Sequence, residues 1–398
     1  MLIEMYREKQ ISIKQCTGCE ACAQICTAKA IVMKENEEGF LYPIINNEKC
    51  IKCGQCVSVC PVLSTNHQII THQTELYSGY EKSLKYQKYC SSGGIFGLIA
   101  EHILQIGGIV FGAVYDPSTK SVVHVSSDEV SIENIFRSKY VQSRIGKTYT
   151  KIKEILVSTE RKVLFCGTPC QIEGLKKFLK KEYKNLITVD FVCHGVPSPG
   201  VFREVLQAEE IKNKGTIKDV TFREKNPNGK GEEYLYLYLT DGRKVGYKSL
   251  NYYYYYLFLY NCILRSSCMN CKRAENHIAD LTLADDWLQK WQNNSEIGVS
   301  LIQVNTEKGK NIFDSLRSEL VIQLVDPTTR KIITQAHKYS IKDRKRVFQK
   351  YRYKHDVKIL NREFQKIRFR NESKKQLIYI LSKCYRTIVP RRKDNEKK

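Results

Sequence analysis

The middle of the chain alternates between short apolar runs and stretches in which apolar residues recur at helical spacing. Apolar runs at 109–115, 162–165 and 186–192 predict three buried strands. Helical patterns lie between or after these runs, at 95–104, 151–157, 171–179 and 201–208. Because strands that alternate with helices are typical of α/β domains, we expect a mixed or parallel sheet in this region.

The pattern changes on both sides of this region, and the changes divide the chain. The stretch that follows residue 62 is polar and without a clear period, so we interpret it as a linker. We expect a head at 1–62, a linker at 63–76, a main domain at 77–337 and a basic helical tail at 338–398. Within the main domain, segments at 234–239 and 244–248 with a strand pattern flank Asp241-Gly242, which predicts a hairpin.

The head contains two cysteine runs with the same spacing, C-x2-C-x2-C-x3-C. The first is Cys16, Cys19, Cys22 and Cys26, and the second is Cys50, Cys53, Cys56 and Cys60, followed by Pro61. This is the spacing of bacterial ferredoxins with two 4Fe-4S clusters, in which the fourth cysteine of each run binds the other cluster. We therefore expect one cluster on Cys16, Cys19, Cys22 and Cys60, and another on Cys50, Cys53, Cys56 and Cys26.

Zinc is the alternative occupant of clustered cysteines. Structural zinc sites usually have two ligand pairs separated by a longer loop, whereas each run here packs four cysteines into eleven residues. The spacing therefore favours iron–sulfur clusters. Apolar stretches at 31–33 and 40–45 surround Glu38-Gly39 and predict two strands, so the head is expected to be a compact α+β ferredoxin-like fold. Two neighbouring clusters predict a one-electron relay rather than catalysis at the clusters.

The lack of membrane and secretion signals predicts that these cysteines lie in a reducing compartment. No run of 18 apolar residues predicts a transmembrane helix, and the first ten residues lack the features of a signal peptide. We therefore expect a cytoplasmic protein. In that compartment sixteen cysteines indicate metal binding rather than a disulfide framework.

The net charge of +23 is concentrated near the C terminus. Residues 338–398 hold 22 basic and six acidic side chains, an excess of +16, whereas residues 1–62 are neutral. Apolar residues at helical spacing predict that this tail is a helix, which rests on an anionic membrane surface, binds an acidic partner or stays solvated. Nucleic acid is not an expected partner, because no recognition motif accompanies the charge.

Several short motifs in the main domain predict a ligand site. Cys90-Ser91-Ser92-Gly93-Gly94 precedes an apolar helix, and such a helix start suits a phosphate, although a plain N-cap is the alternative. The turns at 166–170 and 193–199 each follow a predicted strand and precede a predicted helix. Both are therefore expected at the same edge of the sheet, where ligands of α/β folds gather.

Four cysteines of the main domain are enough for a third cluster. Cys268 and Cys271 form a C-x2-C pair, and Cys170 and Cys193 lie in the two strand-end turns. Cys166 and Cys262 are spare candidates. Spacing alone leaves buried free cysteines as the alternative.

An ordered set of motifs resembles a known family. The segments SSGGIF, SKYVQS, CGTPCQIEGL, CHGVPSP, LRSSCMNC and ADLTLADDW occur in that order from about residue 77 to beyond 287. Together they resemble the beta subunits of coenzyme F-420 (deazaflavin) hydrogenases and dehydrogenases. With the head in front, the layout resembles that of deazaflavin-oxidising subunits of respiratory complexes.

The resemblance implies an α/β domain with mixed sheet that binds FAD and one 4Fe-4S cluster. It implies the cluster ligands Cys170, Cys193, Cys268 and Cys271, and flavin contacts at Ser92, Gly93, Gly94, Lys139, Gln142, Ser143 and Thr168. His194 is a candidate proton donor to the flavin or substrate, with a structural role at its turn as the alternative. Where the family often has a glycine-flanked Asp-Phe-Trp run, this chain has Ala284-Asp285-Asp286-Trp287, which leaves the local contacts open.

These features predict an iron–sulfur flavoprotein oxidoreductase. It would convert hydride transfer between FAD and a deazaflavin coenzyme, another carrier or an organic substrate into one-electron relay through the clusters. A redox partner protein or ferredoxin is expected to meet the head. One alternative is an electron-transfer subunit or adaptor without its own substrate site, serving a partner enzyme, for example in glycan biosynthesis. Another is a structural or regulatory iron–sulfur protein without flavin.

Overall fold

The computed structural model describes residues 12–64, 74–86, 89–225, 233–286, 298–326 and 341–388, with side chains up to residue 373. Most of the predicted linker lies outside these ranges, as does Trp287.

The N-terminal head consists of two short helices and one hairpin. The helices are α1 (Ala21–Ile25) and α2 (Gln55–Ser58), and the hairpin pairs β1 (Ile31–Glu35) with β2 (Leu41–Ile45). Gly39 lies in the turn with φ of +77°, a left-handed conformation that glycine adopts without a steric penalty. The two strands predicted around Glu38-Gly39 are therefore present.

An eight-stranded mixed sheet forms the centre of the main domain. The remaining strands of the described chain are β3 (Glu75–Glu81), β4 (Ile109–Asp116), β5 (Ser121–Ser126), β6 (Val163–Cys166), β7 (Leu186–Phe191), β8 (Ile217–Lys225), β9 (Glu233–Leu239), β10 (Lys244–Lys248), β11 (Leu281–Asp285), β12 (Ser300–Val304) and β13 (Leu320–Leu324). The order in the large sheet is β13-β3-β12-β11-β7-β6-β4-β5. The four strands β4, β6, β7 and β11 pair in parallel, and the flanking strands are antiparallel. The three strands predicted from the sequence are β4, β6 and β7, and the sheet is mixed.

Helices cover both faces of this sheet. They are α3 (Ile95–Gln105), α4 (Ile132–Ile135), α5 (Thr148–Ser158), α6 (Pro169–Leu179), α7 (Pro199–Asn213), α8 (Tyr253–Leu259) and α9 (Glu307–Ser315). Successive residues of β4 point to opposite faces, so Val110 packs in one core with Leu98 of α3, and Phe111 packs in another with Ile172 of α6. Val59 of the head belongs to the second core. The head is therefore docked on the face covered by α5 and α6.

A second, smaller sheet and the C-terminal helices form a third core. The sheet has the antiparallel order β10-β9-β8, and its β9–β10 hairpin, with Tyr238 opposite Lys244, is the predicted one. The C-terminal helices are α10 (Ile341–Tyr351) and α11 (Val357–Ile388). They place Phe348, Tyr351 and Phe364 in one core with Tyr256 of α8. The described part of the predicted helical tail thus forms two helices joined by a turn, and its first half is part of the packed domain.

None of the helices in the described ranges combines the length and the apolar character needed to cross a bilayer.

The head meets the main domain through a close glycine contact. The Gly200 N–H of α7 donates to the Gly39 carbonyl at 3.1 Å, and a Cβ built on Gly200 would lie 2.6 Å from the Gly39 Cα. Ser198, the N-cap of α7, donates from Oγ to the Glu38 carbonyl at 2.6 Å. Arg344 of α10 pairs with the Glu38 carboxylate. The hairpin turn of the head is therefore held against a helix start with no room for a methyl group.

We predict that Gly200→Ala loosens the head. Alanine at a helical position normally stabilises a helix by about 0.5–1 kcal/mol relative to glycine. Here the added methyl must displace the Gly39 backbone, so the free energy of unfolding should fall by about 1–3 kcal/mol instead. Amide hydrogen exchange of residues 36–41 should accelerate.

Gly107→Ala is the matched control, because Gly107 has a left-handed φ of +74° but open space around its Cβ position. That variant should lose stability through backbone strain and leave exchange in the head unchanged. Unchanged exchange of the head in Gly200→Ala would show that the glycine contact does not hold it.

Candidate functional site

The first cysteine set lies where the head meets the main domain. Burial raises the pKa of the Cys19 thiol, and thiolates at Cys60 and Cys16 raise it further. Burial also raises the pKa of Cys22, with contributions from Cys16, Cys19 and Cys60. The structure thus brings Cys60, the last cysteine of the second run, next to three cysteines of the first. These are the four residues that the sequence assigned to one cluster, and we call them the first set.

The second set lies on the more exposed part of the head. Burial raises the pKa of Cys56, and the thiolates of Cys26, Cys50 and Cys53 raise it further. Cys26 therefore lies with the second run, where its Sγ accepts a hydrogen bond from the Ala30 N–H at 3.3 Å. Cys53 is exposed, whereas Cys19 and Cys60 of the first set are buried. The two sets therefore differ in their access to solvent.

The third set is built from a helix start, a strand end and a 3-10 turn. Cys170 lies in the first turn of α6, whose N-cap Thr168 forms a capping box with Gln171. Cys193 follows β7 by two residues, and Cys268 and Cys271 lie in and just after the turn Ser266–Asn270. Each position is fixed by local structure, although the four residues span a hundred positions of the chain.

Electrostatic interactions indicate that these four thiols lie close together. Burial raises the pKa of Cys193, and thiolates at Cys268, Cys170 and Cys271 add to the shift. Burial raises the pKa of Cys170 to about 11, with Cys271 as the next cause. The charge of Cys170 also raises the pKa of Cys19, so the third set lies beside the first.

The two spare cysteines lie outside the third set. Cys262 is buried near Asp343 in the core formed with α8 and α10, and burial raises its pKa to about 12. Cys166 ends β6 and lines the cavity described below.

The donor chemistry of the three sets fits iron–sulfur clusters. Each set offers four thiols, which is the ligand set of a 4Fe-4S cluster, and buried thiolates that repel one another need cations to neutralise them. In the described part of the chain, no three His, Cys, Asp or Glu side chains are placed to hold one metal ion. A 4Fe-4S cluster requires a different geometry, since each cysteine binds its own iron atom.

A cavity of about 950 Å³ opens at the carboxyl ends of the central strands, as expected for an α/β fold. It is bounded by the start of α3, the ends of β6, β7 and β11, and parts of the small sheet and α8. Cys193 of the third set lies in its wall, beside His194. The cavity and the third set are therefore direct neighbours.

Most of the residues that the resemblance assigned to flavin lie in this wall. They are Ser92, Gly94, Lys139, Ser143 and Thr168. Gly93 is buried behind the wall, where its N–H donates to Ser300 Oγ at 2.9 Å. Gln142 is directed toward the head instead, since its Nε2 donates to the Thr17 carbonyl at 2.9 Å.

The start of α3 lines the cavity with Ser92, Gly94, Ile95 and Phe96. Gly94 is its N-cap with φ of +81°, a conformation suited to glycine. Ser92 Oγ donates to the Val299 carbonyl at 2.7 Å, which fixes the loop before the helix. A helix N-terminus in a cavity wall favours an anionic group such as a phosphate.

Charged groups occupy two other parts of the wall. Burial lowers the pKa of Lys139 to about 7, although Asp219 and Cys166 favour its charged form, and its Nζ donates to the Asn134 carbonyl at 2.7 Å. Arg223 lies at a bulge of β8 with φ of +54° and donates to Asp285 at 2.6 Å. Asp285, part of the segment that departs from the family pattern, is therefore an ion-pair partner in the cavity wall.

The sequence did not single out His124, which also lines the cavity. Its Nε2 lies 3.0 Å from the Cys166 carbonyl, which only accepts, so this nitrogen carries the proton. Nδ1 is then an acceptor, and it is buried without a hydrogen-bond partner. Burial lowers the pKa of His124 to about 4, so the ring stays neutral. The polar–apolar alternation of β5 was the one available signal, but it does not distinguish this histidine from an exposed one.

Comparisons with known proteins match two parts of the chain. Residues 160–330 match the family model for the C-terminal region of the beta subunits of coenzyme F420 hydrogenase/dehydrogenase. Residues 15–63 match the family model for a 4Fe-4S dicluster domain. These matches confirm the resemblance and the dicluster head.

Two curated relatives come from Methanocaldococcus jannaschii. An uncharacterized polyferredoxin-like protein is 38% identical over 69 residues, covering 15% of this chain and 41% of that protein. An uncharacterized ferredoxin is 39% identical over 49 residues, covering 12% of this chain and 29% of that protein. The chain thus spans less than half the length of each.

Among solved structures, a chain of the F420-reducing [NiFe] hydrogenase complex from Methanosarcina barkeri is similar, with a TM-score of 0.45 and 16% identity. The match covers 69% of this chain and 91% of that one.

We predict that His124 makes stability depend on pH between about 4 and 6.5. Its pKa is lower in the folded protein, so the unfolded chain takes up the proton first and stability falls as the pH falls through this window. The loss should approach about 3 kcal/mol, at about 1.4 kcal/mol per pH unit. His124→Phe should remove this part of the pH dependence, measured by denaturant unfolding at several pH values.

The difference between variant and wild type is the readout, so acid effects common to both cancel. His355→Phe, at an exposed position, controls for the loss of a histidine as such. Parallel pH profiles for wild type and His124→Phe would contradict the prediction.

Proposed function

Because the chain joins a 4Fe-4S dicluster domain to a domain of the coenzyme F420 hydrogenase/dehydrogenase beta-subunit family, we propose that it is an iron–sulfur flavoprotein oxidoreductase. FAD would occupy the cavity, and the three cysteine sets would each hold a 4Fe-4S cluster. The proposal rests above all on the unbroken series formed by the cavity and the three sets.

Each neighbouring pair in this series has a contact or an electrostatic interaction. Cys193 of the third set lines the cavity, and Cys170 of the third set acts on Cys19 of the first. Cys22 of the first set is in turn influenced by Cys56 of the second. The series ends at Cys53, which is exposed. A path for single electrons would thus lead from the cavity to the protein surface.

The cavity wall supports the flavin assignment. Ser92, Gly94 and the start of α3 would hold a phosphate, and Thr168 and Ser143 would supply further contacts to FAD. When bound, FAD supplies the exchange between two-electron hydride chemistry and one-electron transfer. The size of the cavity also agrees with a cofactor site.

Side chains of the cavity wall would exchange protons and limit the access of water to the cavity. Lys139, with a pKa of about 7, exchanges a proton at Nζ near neutral pH, and its backbone contacts hold it in the wall. His194 packs edge-on against Phe258, with ring centroids 5.0 Å apart, and would offer a second exchangeable proton. The paired Arg223 and Asp285 would close the side formed by the small sheet. The hydride partner would be a deazaflavin coenzyme or another carrier.

The first test is an anaerobic optical titration of the purified protein with reduced deazaflavin coenzyme. The protein should contain FAD and about four iron atoms for each cysteine set. The flavin band and the broad cluster absorbance should bleach together, with dithionite as the control for full reduction. Bleaching by dithionite alone would remove the deazaflavin as donor. Absence of flavin would favour an electron-transfer subunit that works only with a partner enzyme.

A second prediction tests whether electrons pass from the cavity to the head through the third set. Cys170→Ser should lose about a third of the iron and keep the two clusters of the head, because the other two sets retain their ligands. Dithionite should still reduce the head, whereas a hydride donor at the cavity should not. Cys262→Ser is the matched control, since Cys262 lies outside all three sets, and it should keep all the iron. Rapid reduction of the head by the hydride donor in Cys170→Ser would contradict the proposed path.

A further inference from the structure

Arg265 is the largest fully buried side chain of the described protein, and it lies between the first and third cysteine sets. Its Nε donates to the Cys16 carbonyl at 2.7 Å, on the side of the first set. Its own carbonyl accepts the Cys268 N–H at 3.0 Å, on the side of the third set. One residue therefore contacts the backbone of both sets.

The remaining donors of Arg265 tie the head to the main domain. NH2 donates to the Leu41 carbonyl of the head at 2.9 Å, and NH1 donates to Gln142 Oε1 at 3.0 Å. Gln142 in turn donates to the Thr17 carbonyl of the head. Burying an arginine costs several kcal/mol unless its donors are satisfied. Here the planar guanidinium donates to three oxygen acceptors.

The guanidinium also lies over two aromatic rings of the head. Its Cζ is 4.2 Å from the ring centroid of Tyr42 and 5.4 Å from that of Phe40. Such cation–π contacts offset part of the desolvation cost of the charge. Gly18, with φ of +71°, leaves the room that the guanidinium occupies, since a Cβ there would lie 2.8 Å from Arg265 NH1. Residues of the head therefore contact this side chain and leave the space that it occupies.

The three oxygen acceptors of Arg265 are uncharged, so these hydrogen bonds do not neutralise its positive charge. That charge acts electrostatically on Cys170 and Cys268 of the third set. The buried carboxyl of Glu20 also feels this charge, but it interacts more strongly with Arg144. A fixed positive charge close to a cluster favours its reduced, more negative form and so raises its reduction potential.

We propose that Arg265 is a positioning residue that fixes the first and third sets against each other, provides the hydrogen-bonded link between them and raises the potentials of both. The inference rests on the proposed electron relay. When one electron crosses this link, the cluster of the third set loses it and the cluster of the first set gains it, or the reverse. No proton transfer is required. The second set, which Arg265 does not contact, should be tuned independently.

Arg344 provides a matched control. It is also a buried arginine at the junction, it donates to the Leu264 carbonyl at 2.6 Å, and it lies 4.6 Å from the Phe348 ring centroid. Unlike Arg265, it is paired with a carboxylate, that of Glu38. Its removal should loosen the junction without removing a charge whose hydrogen bonds all go to uncharged oxygens near the clusters.

The experiment is an EPR-monitored redox titration of the holoprotein and of three variants: Arg265→Met, Arg265→Lys and Arg344→Met. In Arg265→Met the potentials of the clusters in the first and third sets should fall by about 59 mV, equivalent to a tenfold change in a one-electron equilibrium, while the potential of the cluster in the second set stays constant. Arg265→Lys keeps the charge but not the fork, so the potentials should stay near wild type. Its magnetic coupling between the first and third clusters should weaken as the head shifts. Arg344→Met should leave all three potentials unchanged.

Equal potentials in wild type and Arg265→Met, or the same shift in Arg344→Met, would overturn the proposal. If Arg265→Met does not fold, Arg265→Lys decides, since unchanged magnetic coupling would overturn the positioning role. Iron analysis of the wild type distinguishes a failure of the proposed function from a failure of the role assigned to Arg265. A wild type without clusters defeats the proposed function itself, whereas a full complement of clusters with unaltered potentials defeats only the role of Arg265.

Discussion

Mutual repulsion among buried thiolates is the constraint on which the arrangement of this protein depends. Each of the three sets gathers four sulfur ligands, and in each set the neighbours and the burial together make ionisation unfavourable. Two of the sets require cysteines from both runs of the head, and the third requires segments a hundred residues apart. A multi-iron cluster that neutralises four thiolates would offset this cost. The folding of the head and its docking on the main domain would then depend on the same groups that carry electrons.

The sequence predicted those parts whose signal is local. The cysteine spacing of the head predicts its ligand sets, and the structure places Cys60 near the first run and Cys26 near the second. The strands β4, β6 and β7 are short apolar runs, and they were identified correctly. The outer strands β3, β12 and β13 were not predicted. Their burial depends on antiparallel pairing between distant segments, which leaves no periodic signal of its own.

The roles of single polar side chains were less predictable than the backbone. Gln142 lies in a motif that resembles a flavin site, yet its amide is hydrogen-bonded to the head. His124 and Arg265 have no motif that marks them, because each depends on contacts with segments far away in the sequence. The basic tail was treated as a separate segment for the same reason. Phe348, Tyr351 and Phe364 join the core through helices whose strong positive charge masks their apolar stripe.

The gradient of exposure along the three sets has a consequence for damage by oxygen. Cys53 at the outer end is exposed, whereas Cys19 and Cys60 are buried behind it and the third set lies beneath the head. Within the head, molecular oxygen that diffuses from the solvent would meet the second set before the first. Oxidative breakdown would therefore begin at the end farthest from the cavity and disconnect the protein from its redox partner. The first set would remain intact at that stage, so a damaged molecule would lose its connection to a redox partner before it lost the inner part of the relay.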